Sequence, residues 1–198
     1  MVNLPNALTL GRIFLVPLLV VVLLTGFDEK VIGVSNQMLG AAIFGIASFT
    51  DWLDGFLARR RGQVTNFGQW MDPLADKLLV TAAFVSLVQM DLAPAWMVAL
   101  IIGREFAITA LRSLAYTRGI SIPASPLGKI KMASQVTAIL LLILGWGPLP
   151  WLASVGYITL WAVMILAVAS AVDYYRRFQR LLTARVTDVN VARQRRAG

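Results

Sequence analysis

Six long apolar segments dominate this sequence and restrict what the chain can fold into. They cover residues 8–24, 31–57, 67–90, 93–116, 130–144 and 151–175. A helix needs about 20 mostly apolar residues to cross the hydrocarbon part of a bilayer. Hydrophobic residues make up 58% of the chain and charged residues only 14%, whereas a soluble domain is roughly half apolar and a quarter charged. We therefore predict an all-α, polytopic membrane protein with six transmembrane helices, preceded by a short interfacial N-terminal segment.

The basic residues alternate between the connecting segments. Lys30 is the single basic residue in the connections after the first, third and fifth segments, whereas the other two connections and the C-terminal end are basic. Because cytoplasmic loops are enriched in Lys and Arg, both termini are predicted to be cytoplasmic. The N-terminus lacks the pattern of a cleaved signal peptide. We expect residues 1–180 to form one membrane domain and residues 181–198 a basic cytoplasmic tail, either a frayed helix or disordered.

Two residue types are missing, and their absence excludes several chemistries. The chain has no cysteine and no histidine, which rules out disulfides, Cys- or His-ligated metals and imidazole catalysis. A bound metal would need oxygen ligands, which favours Mg²⁺ or Mn²⁺. The net charge of +8 indicates contact with anionic lipid, and no nucleic-acid partner is expected.

Four carboxylates lie in apolar segments, where a buried charge is costly. They are Asp51, Asp54, Asp72 and Asp76. Each pair is spaced by three or four residues and so shares one helix face, and the short connection between the two helices makes them antiparallel neighbours. Four such acids repel one another at low dielectric unless they are protonated or neutralised, and two divalent cations would balance them. The alternative is an ion-paired cluster that only joins the helices, with Arg59, Lys77 or Arg104 as counterions.

The acidic residues belong to a longer pattern, Asp51-x-x-Asp54-Gly55-x-x-Ala58-Arg59-x8-Gly68-x3-Asp72-x3-Asp76. With every fixed position present, it resembles the signature of the CDP-alcohol phosphatidyltransferases. The resemblance implies a six-helix membrane enzyme, commonly a homodimer, with two divalent cations held by the four aspartates at the cytoplasmic face. It also implies that Asp76 is the general base. The residues implied to bind the CDP-alcohol are Asp54, Gly55, Ala58, Arg59 and Gly68.

Three further stretches are similar to subgroups of that family, the first to phosphatidylglycerophosphate synthases and the related cardiolipin synthases, the other two to the bacterial phosphatidylglycerophosphate synthases specifically. They are Asn3-Leu4-Pro5-Asn6 with Thr9 and Arg12, Ile102-Gly103-Arg104-Glu105-Phe106 with Arg112, and Gly128-Lys129-Ile130-Lys131 with Gln135. Met132 departs from the Thr more often expected at its position. The similarity implies transfer of the phosphatidyl group of CDP-diacylglycerol to glycerol 3-phosphate in a bacterial inner membrane, which gives phosphatidylglycerol phosphate and CMP.

A phosphorylated acceptor needs a basic pocket of its own. The candidates for it are Arg104, Arg112, Lys129 and Lys131. Arg104 lies in an otherwise apolar stretch, and Arg112 follows two helical turns later, so both can share a face. The alternative for Arg112 and the two lysines is that they anchor the helices at the interface. We expect Glu105 to pair with a basic residue rather than to act in catalysis.

Other functions remain open at this point. The same chemistry could use phosphatidylglycerol, serine or inositol phosphate as acceptor, although the extra cations disfavour serine. A divalent-cation transporter would require a polar route through the membrane, and the last two apolar segments contain few polar residues. A purely structural bundle leaves the four aspartates unexplained.

Overall fold

The described part of the chain consists of six α-helices. The structure is a computed structural model, which describes the backbone of residues 4–25, 33–61, 66–117 and 126–197 and the side chains of residues 10–25, 33–50, 74–117 and 130–180. The helices are α1 Leu4–Leu24, α2 Asn36–Arg61, α3 Asn66–Gln89, α4 Ala95–Thr117, α5 Pro126–Trp146 and α6 Trp151–Ala197. The predicted all-α class is confirmed for these residues.

Helix α1 begins four residues earlier than the predicted first segment. Pro5 lies in its first turn, where proline is tolerated because the N–H groups there have no partner within the helix. The helix therefore runs without a break from Leu4 to Leu24, and the expected interfacial segment is not separated from it. Pro17 lies farther along the same helix.

Basic residues lie inside helices where the sequence predicted connections. Helix α2 continues to Arg61 instead of ending at residue 57, because arginine is a good helix former and a cation is favourable at a helix C-terminus. Helix α5 begins at Pro126 rather than at residue 130, so Lys129 and Lys131 lie in its first two turns.

Helix α6 extends well beyond its apolar segment, to Ala197. The part after residue 178 is thus helical, the first of the two expected alternatives. No helix end coincides with residue 180, where we placed the boundary between the membrane domain and the tail, and that boundary stays a prediction.

The core is formed by large side chains that all six described helices bury completely. One from each helix, in chain order, are Leu19, Phe44, Leu87, Met97, Ile139 and Val163. Helix α1 packs against α2 and α3, α5 packs against α6 and α2, and α4 packs against α6. Residues at the ends of this bundle are therefore held in place by helices far apart in the sequence.

Two glycines allow α5 and α6 to approach closely. A Cβ atom on Gly145 would lie 2.3 Å from the backbone nitrogen and 2.6 Å from the Cα of Ala153. A Cβ atom on Gly156 would lie 3.0 Å from the backbone nitrogen of Leu142. Small residues at such crossings increase van der Waals contact between helices, which makes α5 and α6 a tight hairpin.

Helix α3 ends in a Schellman motif. Leu92 donates its N–H to the carbonyl of Leu87 at 2.9 Å, and Asp91 donates to the carbonyl of Val88 at 3.0 Å. Asp91 adopts the left-handed conformation with φ 57°, a position usually occupied by glycine or asparagine. The chain reverses here, and Pro94 directly precedes α4.

Helices α4 and α6 run parallel to each other. Trp96 contacts Trp161 edge-to-face, with ring centroids 5.8 Å apart and an interplanar angle of 68°. Farther along both helices, Arg104 reaches Ala167. Because the contacts advance in the same direction along the two helices, the polar residues of α4 face the C-terminal half of the apolar part of α6.

The outer surface of the bundle is apolar. Within the described residues, α6 is long and apolar enough to cross a membrane from Trp151 to Arg180, and two shorter apolar stretches cover Leu10–Leu24 and Ile130–Trp146. Phe14 is 74% exposed and Ile158 69% exposed. A large exposed apolar surface is typical of proteins that contact lipid or other proteins.

Candidate functional site

The four aspartates lie on two consecutive helices that pack against each other. Asp51 and Asp54 belong to the C-terminal part of α2, and Asp72 and Asp76 to the N-terminal part of α3. Only four residues connect the helices, and a connection this short forms an antiparallel helical hairpin. The backbone therefore carries all four residues at the same end of this hairpin.

Most of the predicted donor and metal site lies outside the residues whose side chains the structure describes. This applies to Asp51, Asp54, Gly55, Ala58, Arg59, Gly68 and Asp72. Among the described side chains no group of three or more acidic residues forms a metal site, and Asp76 is the single predicted ligand included there. The ligand set stays a prediction. Its chemistry, carboxylate oxygen throughout, fits Mg²⁺ or Mn²⁺.

Asp76 lies beside two lysines. Its side chain is half-buried and close enough to Lys77 and Lys131 for an electrostatic attraction to each. Lys77 donates a hydrogen bond to Oγ1 of Thr109, and that hydroxyl donates to the carbonyl oxygen of Glu105 at 2.8 Å. The segment of α3 that carries the predicted general base is thereby joined to α4.

Arg104 is fixed by three hydrogen bonds. Its Nε donates to the carbonyl oxygen of Ala167 at 3.2 Å, and its Nη2 donates to Oγ of Ser170 at 2.6 Å. Its Nη1 donates to Oε1 of Glu105 at 3.2 Å. The side chain is 12% exposed, and a planar guanidinium with this many partners has one orientation.

Lys131 of α5 is almost completely buried. It is 3% exposed and forms an ion pair with Oε1 of Glu105, the same oxygen that accepts from Arg104. The expectation that Glu105 pairs with a basic residue is confirmed. Helices α4 and α5 therefore contribute to one cluster of two cations and one carboxylate.

Arg112 extends this cluster along α4. Its Nε donates to the hydroxyl of Tyr174 at 3.1 Å, and its Cζ lies 5.7 Å from the centre of that ring. Arg112 is also close enough to Arg104 and Lys77 to interact electrostatically with each. The structure thus brings together Arg104, Arg112 and Lys131 of the four predicted acceptor residues, whereas the side chain of Lys129 lies outside the described residues. We call these three cations, with Glu105, the basic cluster.

Sequence reasoning did not assign roles to the residues of α6 in this site. Ser170 and Tyr174 accept hydrogen bonds from Arg104 and Arg112 respectively. A signal was present, because the two polar side chains are spaced by one helical turn within an apolar helix. The basic cluster can bind an anion with at least two negative charges next to Asp76.

Comparison with known proteins agrees with this geometry. The family model of the CDP-alcohol phosphatidyltransferases matches residues 2–175. The chain is 45% identical over 185 residues to a Bacillus subtilis protein named CDP-diacylglycerol–glycerol-3-phosphate 3-phosphatidyltransferase, with 89% of this chain and 95% of that protein covered.

Two further relatives come from other bacteria. A Rickettsia typhi protein of the same name is 37% identical over 178 residues, with 89% of this chain and 97% of that protein covered. A Mycobacterium tuberculosis protein named probable phosphatidylglycerophosphate synthase is 39% identical over 179 residues, with 90% of this chain and 82% of that protein covered. The chain belongs to the CDP-alcohol phosphatidyltransferase family.

Proposed function

We propose that the chain transfers the phosphatidyl group of CDP-diacylglycerol to glycerol 3-phosphate, which gives phosphatidylglycerol phosphate and CMP. The observation that carries the proposal is the position of the basic cluster beside Asp76. A phosphate-binding site next to a potential proton acceptor suits an acceptor that has both a phosphate group and a reactive hydroxyl. The names of the relatives support the same reaction.

The acceptor binds through its phosphate. Arg104 and Arg112 supply guanidinium donors and Lys131 supplies an ammonium group, and such charge-assisted hydrogen bonds are stronger than neutral ones. Lys129 belongs to the same turns of α5 and is proposed as a fourth phosphate ligand. Because Asp76 interacts with Lys131, an acceptor held there has its hydroxyl end within reach of Asp76.

The reaction requires one proton transfer and one displacement at phosphorus. Asp76 accepts the proton of the acceptor hydroxyl, whose oxygen forms a bond to the lipid-bearing phosphorus. The bond from that phosphorus to the CMP oxygen breaks, and CMP leaves. Positioning a base next to a nucleophile contributes about 10²- to 10⁴-fold to the rate of such reactions.

The donor is bound by the hairpin of α2 and α3. We propose that Asp54, Gly55, Ala58, Arg59 and Gly68 contact CDP-diacylglycerol. Mg²⁺ or Mn²⁺ ions held by Asp51, Asp54, Asp72 and Asp76 would supply neutralisation of the diphosphate charge. The remaining side chains of the site orient the two substrates.

We further propose that the chain has six transmembrane helices in the inner membrane of a bacterium, with both termini in the cytoplasm. The active site faces the cytoplasm, and the working form is a homodimer. The apolar outer surface and the alternation of basic connections along the sequence support the topology. Residues 181–198 form the basic cytoplasmic tail in this proposal. The diacyl tail of the donor then stays in the bilayer while its diphosphate lies at headgroup depth.

The test is an acceptor panel with the purified protein in detergent. CMP release and the lipid product are followed with CDP-diacylglycerol, Mg²⁺ or Mn²⁺, and glycerol 3-phosphate, phosphatidylglycerol, serine, inositol phosphate or no acceptor. We expect release with glycerol 3-phosphate alone and none from the folded Asp76→Asn variant. Release with a different acceptor alone would overturn the acceptor assignment. Folded wild-type protein that releases no CMP with any acceptor would refute the proposal, and Mn²⁺ uptake by proteoliposomes would then test transport.

A further inference from the structure

We propose that Glu105 is a positioning residue for the acceptor: it holds Lys131 and Arg104 in the arrangement that binds the acceptor phosphate, without contacting the acceptor itself. This inference rests on the proposed function, because it concerns the affinity for that acceptor. It goes beyond the assignment of the cations as phosphate ligands, since it identifies what orients them.

Lys131 holds a buried charge that needs a partner. Its ammonium group is in a residue that is only 3% exposed, and a buried charge without a partner is strongly destabilising. Glu105 provides an ion-pair partner. Without that carboxylate, the free energy would fall if Lys131 turned toward water or toward another acid. Its ammonium group would then leave the position in which it can bind a phosphate.

Arg104 has one charged partner among its three hydrogen-bond acceptors. Two of its hydrogen bonds go to neutral oxygens of α6, the carbonyl of Ala167 and the hydroxyl of Ser170. These orient the guanidinium but leave its charge uncompensated. The third goes to Oε1 of Glu105. One oxygen atom therefore fixes a cation of α4 and a cation of α5 relative to each other.

The charge of the basic cluster suits a phosphorylated acceptor. Arg104, Arg112 and Lys131 together with Glu105 have a formal net charge of +2. A phosphate monoester has a charge of about −1.5 to −2 at neutral pH. The carboxylate thus leaves a positive charge that the acceptor matches, in a site where the excess cations would otherwise repel one another.

A direct catalytic role for Glu105 does not fit the contacts. Its carboxylate is 25% exposed and has both cations at the same oxygen, whereas Asp76 belongs to the hairpin of α2 and α3 that carries the predicted donor site. Glu105 acts through Lys131 and Arg104, so its effect should appear in the KM for the acceptor rather than in the KM for the donor.

The experiment compares Glu105→Gln and Glu105→Asp with the wild-type full chain in detergent. Initial rates of CMP release are measured against the concentration of glycerol 3-phosphate at saturating CDP-diacylglycerol. A second series varies CDP-diacylglycerol at saturating glycerol 3-phosphate. We expect Glu105→Gln to raise the KM for glycerol 3-phosphate about tenfold, the lower range for loss of a hydrogen bond to a charged group, and to change the KM for CDP-diacylglycerol less than twofold. Glu105→Asp should recover part of the loss.

The matched control is Asp173→Asn, which also removes one carboxylate. Asp173 pairs with Arg177 at 3.0 Å on α6, where the Asp173 side chain is 33% exposed and the Arg177 side chain 43%, and we expect this variant to keep both wild-type KM values. A wild-type acceptor KM in Glu105→Gln would overturn the inference, as would a loss confined to kcat.

A binding measurement covers the case in which Glu105→Gln fails to fold. The thermal unfolding of wild type and Glu105→Asp is followed against glycerol 3-phosphate and, separately, inorganic phosphate, without CDP-diacylglycerol. We expect the aspartate variant to need severalfold more of either anion for the same shift, and equal curves would overturn the inference. An inactive wild type would refute the proposed function, whereas an active wild type with an unaffected variant would refute only the role of Glu105.

Discussion

The contact between Arg112 and Tyr174 allows a substitution that removes one interaction and keeps another. Tyr174 is 5% exposed, and its hydroxyl accepts a hydrogen bond from Arg112. The aromatic ring of Tyr174 lies beneath the Arg112 guanidinium. Tyr174→Phe removes the hydroxyl and retains the ring. We expect the substitution to weaken binding of glycerol 3-phosphate while binding of CDP-diacylglycerol is unchanged.

The magnitude follows from the freedom that Arg112 regains. In the wild type the hydrogen bond of 3.1 Å orders the guanidinium before the acceptor arrives, so the acceptor does not have to order it. Immobilising one long side chain on binding costs about 0.5–1.5 kcal/mol. At 1.4 kcal/mol for each factor of ten, the KM for glycerol 3-phosphate should rise about 2- to 12-fold. Tyr174→Leu also loses the cation–π contact, worth about 0.5–1 kcal/mol or more, and should show a larger increase.

The assay is the rate of CMP release against glycerol 3-phosphate concentration at saturating CDP-diacylglycerol. Tyr175→Phe is the matched control, because the neighbouring hydroxyl accepts from Gln179 at 2.8 Å and its residue is exposed. This control should behave like the wild type. If Tyr174→Phe and Tyr174→Leu both keep the wild-type KM for glycerol 3-phosphate, Arg112 is not ordered for the acceptor by α6 and the assignment of Arg112 is wrong.

Two further predictions concern the fold and the metal. Gly145→Ala places a methyl group against the backbone of Ala153, and because overpacking of this kind costs about 1–3 kcal/mol, the thermal unfolding midpoint in detergent should fall. Gly11→Ala is the control and should not lower the midpoint, since a Cβ atom there meets nothing within 4 Å. Equal midpoints for the two variants would contradict the close approach of α5 and α6. Chelation with EDTA should abolish CMP release, and added Mg²⁺ or Mn²⁺ should restore it; activity that survives exhaustive chelation would exclude the predicted metal dependence.

The arrangement of the basic cluster could be predicted from the sequence only in part. The spacing of Arg104 and Arg112 predicted a shared helix face, and both side chains indeed reach α6. The spacing does not determine which helix lies opposite that face, since this depends on how the whole core packs. The contributions of Ser170 and Tyr174 therefore became evident only from the structure.

The helix ends show a related limit. Apolar segments located each of the six helices that the structure describes, but α2 includes Arg61 and α5 includes Lys129, because backbone hydrogen bonds continue wherever the residues are good helix formers. Hydropathy measures how a segment partitions between water and lipid, which is a different property. For the aspartate pattern, the structure shows on which helices the residues lie. The contacts of Asp51, Asp54 and Asp72 remain predictions.

The hydrogen bonds from α4 to α6 have a consequence for the biosynthesis of the chain. Arg104 and Arg112 leave the ribosome long before the residues from Ala167 to Tyr174 that accept their hydrogen bonds. A nascent chain that ends after α5 holds both guanidinium groups without these acceptors, although the hairpin of α2 and α3 has already been made. The acceptor half of the site is therefore completed last, when the final helix enters the bundle.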